Sequence, residues 1–129
     1  MAKLLVWVTA LFFIFYGIAF IFLPSEMAVL VTGDSPRTAS GIIDMRATYG
    51  GMSASVGIIL LLLLSRPENL RLALVCIAIV LLAMAAGRTW GMFKDGSPSV
   101  VMYLYLTAEI IVSFFALWLV TNVKRVRDA

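Results

Sequence analysis

Histidine is absent from this 129-residue chain, and cysteine occurs once, as Cys76. Without an imidazole the usual general base at neutral pH is missing, and so is the commonest metal ligand. Haem ligation and a histidine-box di-iron centre fall with it, and no metal or cofactor is expected. One thiol cannot close an intrachain disulfide. Cys76 sits inside LALVCIAIVLLAMAA and reads as a small packing residue. Charge is also scarce, at 13% of residues. The net charge of +3 does not point to nucleic acid, because the bases lie at loops and termini rather than along a stripe.

What fills the chain instead is apolar: 63% of its residues are hydrophobic. A soluble domain of this length could not cover that surface, so the expectation is an integral membrane protein forming one domain over residues 1–129. Four apolar stretches stand out, at about residues 4–23, 40–64, 70–90 and 99–120. Each is near the roughly 20 residues that cross a bilayer as a helix, and none alternates as a lipid-facing strand would. The fold class is therefore all-α, a polytopic four-helix transmembrane bundle. The first stretch is too long for a signal-peptide core and lacks an A-x-A site, so it reads as a span.

The connections differ in kind. SRPEN is a tight polar turn between the second and third stretches, which predicts that those two pack as a hairpin. Asp95-Gly96 and Ser97-Pro98 predict a turn before the fourth stretch. In PSEMAVLVTGDSPRTAS, Ser25 is positioned to cap a short interfacial helix. Lys3, Arg66, Arg71, Lys124, Arg125 and Arg127, six of the ten bases, share the side of the termini. Arg37, Arg46, Arg88 and Lys94 share the other. The positive-inside rule then puts both termini in the cytoplasm of a bacterial inner membrane.

Polar residues inside the spans carry the functional reading. Glu109 lies nine residues after Val100, roughly 14 Å into the membrane. A charge at that depth costs several kcal/mol unless paired or neutral. Tyr105 and Ser113, at i−4 and i+4, share its face. Arg46 in the second helix and Arg88 in the third approach the same leaflet, with Asp44 and Asp95 at the same pole. Asp44, Arg46, Tyr49, Arg88, Asp95, Tyr105 and Glu109 are thus expected to form a ligand site or an ion-pair network in the outer half of the bundle. Spaced as on an α-helix, Arg46, Gly50, Ser53 and Gly57 fall on one face. Gly50, Gly51, Ser53, Ala54 and Gly57 read first as helix packing, since small-xxx-small pairs let backbones approach. An Arg–Glu network can also simply lock a bundle, so a structural reading stands beside the functional one.

DMRATYGG in the second helix, GRTWGMFKDG at the end of the third, the lone Glu of the fourth and FLP in the first loop resemble a family of small bacterial four-helix membrane proteins of unknown function. More loosely they resemble the DoxX-like proteins and the eukaryotic ergosterol-biosynthesis scaffold. The resemblance implies that Arg46, Tyr49, Gly50, Gly51, Arg88, Gly91, Asp95, Gly96 and Glu109 belong to a shared motif. It implies no reaction. Three readings follow. The first is a non-catalytic membrane protein that holds a lipid-like or isoprenoid, amphipathic ligand, or that docks on a larger membrane complex or on itself as a homo-oligomer. The second is an enzyme on an amphipathic substrate with Glu109 as general acid/base. The third is a small proton-linked transporter.

Overall fold

A bilayer core offers no water to backbone N–H and C=O groups, so an apolar run of this length satisfies itself as a helix. The computed structural model describes residues 1–96 and 98–123. Four helical rods in it are long and apolar enough to cross a membrane: Ala2–Phe22, Ala39–Leu64, Pro67–Asp95 and Val100–Asn122. Lys124, Arg125 and Arg127, which entered the charge count, and Ser97 of the expected turn lie outside the described residues.

Helix α1 spans Ala2–Phe22 and α2 spans Pro24–Thr32. Pro24 occupies the first turn of α2, where its missing N–H leaves no bond unmade. Leu23 is the N-cap, so Ser25 lies inside the helix rather than capping it. Gly33, with φ of 89°, ends α2 in the left-handed region that favours glycine. Helix α3 (Ala39–Met45) is capped by Thr38, whose hydroxyl accepts from the Gly41 N–H at 3.1 Å. It continues without a break through a π-helical segment, Arg46–Met52, into α4, Ser53–Leu64. These three pieces form the second span. A 3₁₀ turn at Pro67–Asn69 leads to α5, Leu70–Asp95, and α6 follows at Val100–Asn122. Helix α5 outruns the expected end at Trp90 because GMFKD holds no proline and the single Gly91 is tolerated within the helix. Gly96, with φ of 102°, stops it.

The core draws Val6, Ala10 and Phe13 from the first half of α1, Leu60 from α4, Ala73, Leu74 and Ile77 from the start of α5, and Ala116 and Leu119 from the end of α6. Successive spans therefore run antiparallel, and the core fills the half of the bundle that holds the SRPEN turn. The opposite half, with α2 and Gly96, is the loop end.

The expected hairpin of spans two and three needs correction. Helix α1 packs along the second span and α5 along α6, whereas spans two and three touch through α4 and part beyond it. A short turn forces adjacency only where it lies; side-chain fit decides the rest. That fit is close for the first pair. A Cβ on Gly17 would lie 2.5 Å from the Ala54 nitrogen and 2.6 Å from the Gly50 carbonyl oxygen, and one on Gly57 would lie 2.5 Å from the Ala10 oxygen. Gly51 and Ser53 sit away from this seam: a Cβ on Gly51 would meet only the Arg46 carbonyl at 3.8 Å, and Ser53 faces a groove described below.

Candidate functional site

The π segment decides where the DMRATYGG side chains go. Its i→i+5 bonds widen the turn locally and change the register of side chains around it relative to a continuous α-helix. Of the residues that α-spacing assigns to one face, Arg46, Gly50 and Gly57 all meet α1, and only Ser53 is turned away into the groove. Arg46 donates from Nη1 to the carbonyl of Ile21, one of the last acceptors of α1. A cation at a helix C-terminus is favourably placed. The expected approach of Arg46 to Glu109 is not what the structure has. Asp44 is exposed, and among the described residues its carboxylate has no ion-pair or hydrogen-bond partner. Tyr49 stacks its ring on Phe20, with centroids 5.2 Å apart.

Arg88 and Glu109 do meet. Nε of Arg88 donates to one Glu109 carboxylate oxygen at 3.1 Å and Nη2 to the other at 2.7 Å. The Glu109 side chain is 6% exposed and that of Arg88 18%. This bidentate fork ties α5 to α6 near mid-span. Parallel charge-assisted bonds of this kind are among the strongest a guanidinium makes. The Tyr105 ring lies 5.3 Å from the guanidinium carbon. Ser113 shares the face of Glu109, but its hydroxyl donates to the Glu109 backbone carbonyl at 2.6 Å and so does not reach the carboxylate. Asp95 lies exposed at the end of α5.

Two chambers flank this pair. The inner one, about 230 Å³, lies between α1, α5 and α6 and is walled by apolar side chains such as Val8, Phe12 and Leu81, with Arg88, Tyr105 and Glu109 on one side. The outer one, about 960 Å³, is the wedge left where spans two and three part. Its floor is Phe13 and Tyr16 of α1. Thr48, Tyr49, Ser53 and Val56 form one wall, and Ala83, Gly87, Arg88, Gly91 and Asp95 the other. From Ile79 to Asp95 that second wall runs about 24 Å along α5. Phe13, Tyr16, Met84 and Arg88 line both chambers and so form the partition between them.

Several of these residues escape a reading of the sequence. Tyr16 partitions the chambers and stands in an aromatic ladder, 4.9 Å from Phe20 and 5.7 Å from Phe12. Thr9 lines the inner chamber. The signal was present: Thr9 and Tyr16, seven residues apart on one face, are the polar-tipped side chains of an otherwise apolar run. Met102 places its sulfur 2.8 Å from Nη1 of Arg88, and nothing in the sequence marks it. Among the described residues no three Cys, Asp or Glu side chains gather as a metal site would require.

A multi-pass helical membrane bundle, with an intramembrane Arg–Glu fork between a small apolar chamber and a larger open wedge, is the class of protein these features define. The chain belongs to the DUF4345 family, a domain of unknown function, whose family model matches residues 1–120. No curated protein and no solved structure matches it.

Proposed function

We propose that this protein binds a lipid-like, amphipathic molecule in the wedge between spans two and three. The observation that carries the reading is the wedge itself. Its 960 Å³ lies within the range of small-molecule sites, roughly 300–1,000 Å³. Its lining is mostly apolar, with hydroxyls of Thr48, Tyr49 and Ser53, the Arg88 guanidinium and the Asp95 carboxylate gathered toward the loop end. An apolar slot with a polar end suits a molecule that has a tail and a head. In this reading the protein sits in a bacterial inner membrane with both termini cytoplasmic, so that the polar end of the wedge belongs to the outer leaflet. The support is the six-to-four distribution of bases and the resemblance to small bacterial four-helix proteins.

Catalysis by Glu109 is the weaker reading, because both of its oxygens already accept from Arg88. Proton transport is weaker still. Below Glu109 the Ser113 hydroxyl is spent on backbone carbonyls, and Ala116 and Leu119 close the core.

The test is photolabelling in nanodiscs with a diazirine-bearing acyl lipid. Label is expected on peptides containing Ser53, Ala83 and Gly87, and Gly87→Trp, which projects into open space, should remove most of it. Label spread evenly over the apolar surface and indifferent to Gly87→Trp would sink the proposal. Crosslinks to a second protein chain at the same positions would show the wedge to be a docking face for a larger complex or a homo-oligomer instead.

A further inference from the structure

The wedge shows only part of Arg88. A guanidinium carries five N–H donors. Glu109 takes two of them, through Nε and Nη2, and the Met102 sulfur takes a third, from Nη1. Two donors are left without a protein acceptor among the described residues (5 − 3 = 2). A thioether is also a weak acceptor that an oxygen would displace. Both Arg88 and Met102 line the wedge, so this under-used edge of the guanidinium opens onto the space that the proposed ligand fills.

The charge of that edge is already cancelled. Arg88 contributes +1 and Glu109 −1, held together at 2.7 Å, and Asp95 adds −1 to the same lining. The local sum is −1. An anionic head seated on Arg88 would lie close to the Glu109 carboxylate and share the wedge with Asp95. It would also have to compete with an ion pair that the low dielectric strengthens. An uncharged acceptor meets neither obstacle and satisfies the idle N–H groups.

Resting on the reading of the wedge as a ligand site, we propose that it selects lipid-like molecules whose head is an uncharged hydrogen-bond acceptor, a carbonyl or ester oxygen placed on the outward edge of Arg88. Anionic heads are rejected.

Three probes with matched unsaturated C18 chains test this by equilibrium binding of radiolabelled compound to the protein in neutral detergent. Octadecene has no head, methyl oleate has a neutral ester, and oleyl sulfate is anionic at every working pH. Methyl oleate is expected to bind about tenfold more tightly than either of the others, the scale of one good hydrogen bond or one unfavourable charge contact. Glu109→Gln keeps the side chain's shape, removes the compensating charge and should turn the preference toward oleyl sulfate. Asp95→Asn, at an exposed helix end, gives a second reading should the first variant fail to fold; it should strengthen oleyl sulfate binding by about two- to fivefold. Equal or tighter binding of oleyl sulfate by the unaltered protein would overturn the proposal. So would octadecene binding as tightly as methyl oleate, with the wedge still a ligand site in both cases. If none of the three binds, the ligand-site reading fails and this inference fails with it.

Discussion

Replacing Arg88 with methionine keeps most of the side chain's length and removes its charge. Two charge-assisted hydrogen bonds to Glu109 are lost, each worth about 1.5–3 kcal/mol. Their sum agrees with the roughly 3–5 kcal/mol that removal of one partner of a buried pair costs. The stranded carboxylate cannot reach water: Glu109 is short, 6% exposed and roughly 14 Å along α6 from Val100. The reverse variant, Glu109→Gln, strands a guanidinium that is 18% exposed and lies seven residues from the end of α5, where a long stem can redirect its head toward water. It should therefore cost less, about 1–3 kcal/mol. Removing both charges, as Arg88→Met with Glu109→Leu, leaves nothing uncompensated and should return stability to within about 1 kcal/mol of the unaltered protein. The assay is reversible SDS unfolding in mixed micelles, followed by circular dichroism, and Glu109→Leu alone, added to Arg88→Met and their double variant, closes the double-mutant cycle. An Arg88→Met variant as stable as the unaltered chain would refute the reasoning, as would a double variant whose loss equals the sum of the single ones.

The glycines should divide by what surrounds them. Gly57→Ala drives a Cβ to 2.5 Å from the Ala10 oxygen and should cost about 1–3 kcal/mol in the same unfolding assay, whereas Gly87→Ala meets nothing within 4 Å and should be neutral or stabilising by up to about 1 kcal/mol. Equal effects at the two positions would mean that α1 and the second span do not pack as described. With Cys76→Ser as background, Asp34→Cys should react with a membrane-impermeant maleimide on intact cells, and Glu68→Cys only after permeabilisation. The opposite pattern would invert the orientation that the Lys and Arg distribution supports.

The four spans were legible because hydropathy reports directly on the solvent that each residue tolerates, and lipid leaves the backbone no choice but helix. Arg88 and Glu109 were legible as well, since two opposite charges that deep in apolar helices need each other. Arg46 was misread for a specific reason. Arg46, Gly50 and Gly57 do share a face, but that face packs on α1, so Arg46 ends at the Ile21 carbonyl instead of Glu109. Ser53 alone is turned out of it, beside a π segment that leaves no trace in hydrophobic periodicity. The pairing of spans was misread because a five-residue turn is visible in a sequence while backbone approach at Gly17, Gly50 and Gly57 is not. Such contact is a property of two helices at once, and one helix's residues specify only that approach is permitted. Tyr16 was missed on similar grounds: its place between two chambers depends on helices distant in sequence.

The wedge and the fork have a common origin in how the chain distributes its packing. Side chains fill the half of the bundle around Leu60, Leu74 and Leu119, so that half closes on its own. Toward the loop end, α1 stays with the second span through glycine contacts, and α5 stays with α6 through Arg88 and Glu109. Two helix pairs, each held internally, are free to part from one another there, and the wedge is that parting. Arg88 is consequently both the tie of one pair and a wall of the opening. A single substitution at Arg88 therefore cannot separate a structural role from recognition, because it alters the wedge by loosening α5 from α6 at the same time. Changes on the far side of the opening do separate them. Ser53 and Tyr49 line the wedge from the other helix pair and take no part in the fork, so loss of ligand on altering them, with unfolding unchanged, would isolate recognition from the tie.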